Sequence, residues 1–151
     1  MTRLDGLVPT ESEEQQTLFS FCAVEMKRYP ELDLLVHIPN EGKRSNATGG
    51  RMKREGLRKG FPDIMLCVPH CGYAGLMIEL KRTKGSKISE DQKEWIRKLN
   101  YQRYAAVFCY GWEEAWNVIK AYITNDRVRM EAYIKGSLEA ARKQNSKITI
   151  N

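Results

Sequence analysis

Residues 60–81, GFPDIMLCVPHCGYAGLMIELK, restrict the folding of this 151-residue chain more than any other stretch. Asp63 follows Pro62 and opens an apolar run, a glycine-containing turn comes next, and a second apolar run closes on Glu79-Leu80-Lys81. Two short apolar runs joined by a turn predict neighbouring strands, the first over 64–68 and the second over 76–81. Along the second, Leu76, Ile78 and Leu80 face one way and Met77, Glu79 and Lys81 the other, because strand side chains alternate. Glu79 and Lys81 therefore share a side, with α-carbons roughly 6.6–7 Å apart. If Asp63 lies across from them, two carboxylates and one ammonium meet at one end of a sheet.

Carboxylates held that close repel one another unless a cation sits between them. Magnesium suits the position, since it takes oxygen ligands and needs only one or two protein carboxylates alongside waters and a substrate phosphate. It can polarise phosphoryl oxygens and acidify water. Lys81, a compact point charge with three donors, is placed to orient that water or to neutralise charge on a phosphate. The plainer reading of Glu-x-Lys at a strand end is a solvated ion pair.

Context favours the first reading. The aspartate, the strand after it, the turn, the strand ending in Glu79-Leu80-Lys81 and a following helix together resemble the core of the PD-(D/E)XK nucleases. Within that superfamily the chain resembles the VRR-NUC (virus-type replication-repair nuclease) branch over roughly residues 10–123. The resemblance implies an α/β, restriction-endonuclease-like fold, with a small mixed sheet flanked by helices. It implies a Mg²⁺- or Mn²⁺-dependent DNA endonuclease acting on branched DNA in the manner of the Holliday-junction resolvases, commonly as a homodimer. Asp63, Glu79 and the Leu80 carbonyl would hold the metal. Glu11 would complete the site, because Glu11-Ser12-Glu13-Glu14-Gln15 matches the family's Glu-Ser-x-x-Gln pattern, although Glu14 stands where an apolar residue is usual. Gln92 of Ser89-Glu90-Asp91-Gln92 would support the cluster.

Glu11 and Gln92 also have structural readings. Acids in the first turn of a helix interact favourably with its macrodipole. Thr10 with Glu13, Ser12 with Gln15 and Ser89 with Gln92 each fit a capping box, predicting helices over 11–28 and from residue 89. Leu34 to Ile38 predicts a strand closed by Pro39, and Tyr104 to Tyr110 another. A helix over 113–123 follows. His37 reads either as a packed strand histidine or as a substrate contact, and Asn40 either as a phosphodiester contact or as a turn cap.

From Lys43 to Lys59 runs a basic segment expected to be a loop, carrying Lys43, Arg44, Arg51, Lys53, Arg54, Arg58 and Lys59 against the single acid Glu55. With Gly49, Gly50 and Gly56 it is free to turn and to approach a backbone closely. Its charge arrives just before Asp63, where a nucleic-acid strand would lie, which predicts backbone gripping rather than base reading. A net charge of +6 agrees with a polyanionic partner. The rivals from other classes are a non-catalytic nucleic-acid-binding module and a basic assembly protein of a replication complex.

No apolar run is long enough to span a bilayer, and the first residues lead into no signal-peptide core. The expected location is the cytoplasm, of the host cell if the protein is virus-encoded. Cys22, Cys67, Cys71 and Cys109 sit mostly in apolar patterns and read as free thiols of a reducing compartment. Cys67-Val-Pro-His70-Cys71 lacks a second ligand pair at zinc-finger spacing. One nuclease domain over 1–123, with a loose leader over 1–9, is expected. A C-terminal helical extension over 124–151 would bury its stripe of Met130, Ile134, Leu138 and Ala141 on the core or on a partner chain.

Overall fold

The computed structural model describes residues 7–39 and 46–142. Asn40, Lys43 and Arg44 lie outside the described residues, as do 1–6 and 143–151.

The chain opens with α1 (Glu11–Glu25), started by a full capping box in which Thr10 Oγ1 accepts from Glu13 N and Glu13 Oε1 accepts from Thr10 N. The second box expected there does not form: Ser12 lies inside the helix and accepts from Gln16 Nε2 at 3.1 Å. The helix also stops short of Arg28. A 3₁₀ turn over Pro30–Leu34 follows, since Pro30 fixes its own φ and Leu32 N bonds back to Tyr29 O. That turn absorbs Leu34, so β1 is only Leu35–His37.

The basic segment is not a plain loop. Residues Asn46–Arg54 form α2, which ends in a Schellman motif: Gly56, at φ 107, donates to Lys53 O, and Leu57 donates to Met52 O at 2.8 Å. Then come β2 (Ile64–Leu66), shorter than expected, and β3 (Leu76–Lys81). After them α3 (Glu90–Tyr101) crosses to β4 (Ala105–Tyr110), and α4 (Trp112–Ile123) and α5 (Arg127–Arg142) complete the described chain.

The sheet runs β1-β2-β3-β4, antiparallel through the first three strands and parallel between β3 and β4, an α/β arrangement with a small mixed sheet. The alternation along β3 divides two cores as expected. Leu76, Ile78 and Leu80 pack with Leu18, Cys22, Ile119 and Tyr122 from α1 and α4, while Met77 packs with Ile96, Leu99 and Phe108 on the α3 side.

The extension packs on the core. Met130 and Ile134 are buried with the α1–α4 layer, and Ala141 with the α3 layer. Between them Ser137 Oγ accepts from Phe108 N of edge strand β4 at 3.1 Å. A sheet edge is a template for unwanted pairing, and α5 covers this one. Among the described residues no helix is long and apolar enough to cross a membrane.

Cys22, Cys71 and Cys109 are buried free thiols, whereas Cys67 is exposed in the turn between β2 and β3. Burial pushes the Cys22 thiol up to about 12 and raises those of Cys71 and Cys109 as well.

Candidate functional site

Strand register assembles the centre. Ile64 pairs with Ile78 in the antiparallel β2–β3 ladder, and one further step sets Asp63 beside Glu79, on the face that carries Met77. Asp63 is fixed at both ends: Oδ2 accepts from Leu80 N at 2.9 Å, and its carbonyl accepts from Ile38 N and from His37 Nδ1 at 3.0 Å. A carbonyl can only accept, so His37 Nδ1 carries a proton.

Asp63, Glu79 and Lys81 are 6%, 1% and 5% exposed, so the Glu79–Lys81 pair is no solvated strand-end bridge. Lys81 Nζ stands 4.0 Å from Glu79 Oε2. Burying charge is costly unless it is compensated, and this cluster sets two carboxylates against one ammonium.

Of the cluster, Asp63 lines a cavity of about 210 Å³, together with Glu11, Ser12, Gln15, His37 and Leu80. The three acids at the start of α1 separate here. Glu13 is used in the Thr10 box. Glu14 is buried and accepts from Trp112 N at 3.1 Å, at the start of α4. Glu11 alone of the three borders the cavity. Ser12, Gln15 and His37 also line it; of these only His37 had been weighed as a substrate contact, and for Gln15 the signal was present, as it lies one helical turn from Glu11.

Among the described residues no three His, Cys, Asp or Glu side chains cluster as a ready-made metal cage. Cys71 Sγ donates to Tyr122 O, and His70 bonds Glu31 and Asn125, so the Cys67–Cys71 stretch is occupied structurally. The Asp63–Glu79 donor set is all oxygen and small, which fits a hard cation that keeps its waters better than it fits zinc.

Gln92 is buried and closes the α3 capping box, its Oε1 accepting from Ser89 N at 3.0 Å. The loop leading to Asp63 rests on that first turn. Gly60, at φ 85, lies so close that a β-carbon there would meet Asp91 and Gln92 backbone and side-chain atoms at 2.7–2.8 Å. Arg51, Lys53, Arg54, Arg58 and Lys59 are exposed, and Arg51 forms an ion pair with Glu55 at 3.3 Å. Lys93, a buried amine held by Glu90 at 3.0 Å, was not anticipated; a charged residue on a polar helix face gives no sequence signal of burial.

The VRR-NUC domain family matches residues 13–113, about two thirds of the chain. A solved structure described as a VRR_NUC domain protein superposes with a TM-score of 0.67 at 28% identity, over 78% of this chain and 90% of that one. No curated protein matches the chain.

Proposed function

Since the chain belongs to the VRR-NUC domain family, we propose that it is a metal-dependent endodeoxyribonuclease that hydrolyses phosphodiesters in branched or structured DNA. One observation carries the reading. Asp63, Glu79 and Lys81 are buried together at one end of the sheet, beside a cavity that Glu11 borders.

Asp63, Glu79 and the Leu80 carbonyl, with Glu11 from α1, would hold Mg²⁺ or Mn²⁺. When bound, the ion would supply Lewis acidity, withdrawing charge from a phosphoryl oxygen and lowering the pKa of water. The hydrogen bond from Leu80 N keeps Asp63 aimed at the cavity, and burial of the pair keeps Lys81 Nζ beside Glu79. That ammonium orients the attacking water and offsets charge growing on the phosphate, a contribution that is large where water is excluded. Gln92 supports the cluster from the start of α3. In-line attack of water breaks the P–O bond, leaving a 5′-phosphate and a 3′-hydroxyl. The cations from Arg51 to Lys59, together with Asn40, Lys43 and Arg44, hold the DNA backbone.

A panel of four-way, flap, nicked and linear DNAs tests this, incubated with Mg²⁺, Mn²⁺ or EDTA. Cleavage should require the metal, favour the branched forms, and fall by about 10²–10³ in Lys81→Met, while DNA binding by that variant persists. Binding without cleavage of any DNA under any condition would leave only a nucleic-acid-binding module. Junction substrates also favour two protomers related by a two-fold axis. The α5 stripe is spent inside the chain, so that dimer would use another face, and sedimentation finding only monomer with and without junction DNA would remove it.

A further inference from the structure

Trp95 is not absorbed by this mechanism. Ile96 and Leu99 fill the buried face of α3, and the Trp95 indole beside them is only partly buried. It stands over an apolar pocket of about 250 Å³ whose walls include Ile38, Pro39, Leu57 and Phe61. Phe61 meets the indole edge-on, with ring centroids 4.9 Å apart. Its orientation is fixed by Nε1 donating to Lys59 O at 3.1 Å.

Charge surrounds this apolar surface. Arg58 and Lys98 each lie 5.2 Å from the indole centroid. Leu57, Arg58 and Trp95 also belong to an adjoining groove of about 630 Å³, where, among the described residues, Lys53, Arg58, Lys59 and Lys98 face two acids, Asp91 and Glu94. The two acids pair with Lys59 at 3.8 Å and Lys98 at 3.0 Å, in exposed bridges that water and salt weaken. An aromatic ring in an apolar pocket, bordered by a cationic groove, is what recognises an unpaired nucleotide: the base stacks and its phosphate meets the cations.

Position ties the pocket to the cleavage centre. Phe61 lies two residues before Asp63, so their α-carbons are at most about 7 Å apart. Ile38, on the pocket wall, donates its N–H to the Asp63 carbonyl. We propose that Trp95 and Phe61 form a base-binding pocket that takes one unstacked nucleotide of the DNA beside the bond to be cut. The inference rests on the nuclease reading and adds to it the feature that selects the substrate, an unpaired base at the branch. Arg58 and Lys98 are long side chains, able to swing from the ring to a phosphate when a base takes their place.

The test measures binding in EDTA, where no cleavage is expected, by anisotropy of labelled duplexes bearing either a three-thymine gap or the same gap made of abasic sites. Backbone charge is equal in the two, so the difference reports bases alone. The thymine gap should bind about tenfold more tightly, the scale of one stacked base. Trp95→Leu should abolish that preference while keeping the parent affinity for fully paired duplex, and Trp95→Phe should retain it. Equal binding of the two gaps by the parent protein, or a preference surviving in Trp95→Leu, overturns the proposal. The parent comparison needs no variant to fold. A base preference without cleavage anywhere in the DNA panel would remove the nuclease reading alone; cleavage without base preference would remove the pocket alone.

Discussion

At the scale of single residues, neighbouring acids of one helical turn acquire unrelated tasks. Glu11 borders the cavity, whereas the Glu14 carboxylate accepts from Trp112 N where α4 begins. Glu14→Ala should cost about 1–2 kcal/mol through loss of a buried helix cap, read by urea denaturation, with the per-molecule cleavage rate kept. Glu11→Ala should do the reverse, lowering cleavage by at least tenfold with the denaturation midpoint little changed. The shared side of Glu79 and Lys81 was legible in the sequence because strand alternation assigns faces without knowledge of anything distant, whereas the place of Asp63 waited on the β2–β3 register. The division of labour among Glu11, Glu13 and Glu14 was not legible, since it depends on α4 docking against α1, a contact made 98 residues along the chain. Strand alternation also left open whether the Glu79–Lys81 pair would be wet or dry; α3 on one side and the neighbouring strands on the other decide that.

Among the elements, the loop before Asp63 depends on a residue that has no side chain. Gly60 combines a left-handed φ of 85 with so little room that an added β-carbon would lie under 3 Å from the first turn of α3. Gly60→Ala must therefore displace either the loop that carries Asp63 or the helix that carries Gln92. A destabilisation of about 1–3 kcal/mol is expected, seen as a lower Tm, together with a cleavage loss larger than the unfolded fraction explains. The element most poorly read from sequence was α2, because Gly49 and Gly50 resemble a turn. A signal for its end was present but was not read: basic residues in the last turn, Gly56 at the left-handed position and apolar Leu57 after it spell a helix stop. Periodicity marks the stripe on α5 but cannot name the surface that buries it. In the fold it seals the β4 edge, so removing it would expose Met130 and Ile134 and would test folding rather than function.

For the whole molecule, a densely basic stretch leads into the acid cluster. Arg51, Lys53, Arg54, Arg58 and Lys59 are all exposed there. If each meets one phosphate, log K against log salt for duplex DNA should fall with a slope of about −4.5 from these five, and by roughly one unit less per Lys or Arg→Ala. Substitution of cations elsewhere, such as Lys120 on α4, should leave the slope unchanged. A slope insensitive to both sets would show that the charge is not organised as a DNA grip.

The turn joining β2 to β3 lies at the other end of those strands from Asp63 and Glu79, and it carries Cys67. That thiol is exposed, whereas Cys22, Cys71 and Cys109 are buried and their ionisation is suppressed. The native protein therefore offers a single addressable sulfur, remote from the chemistry. A maleimide dye could be attached there without mutagenesis, giving a built-in reporter position for following DNA capture by energy transfer.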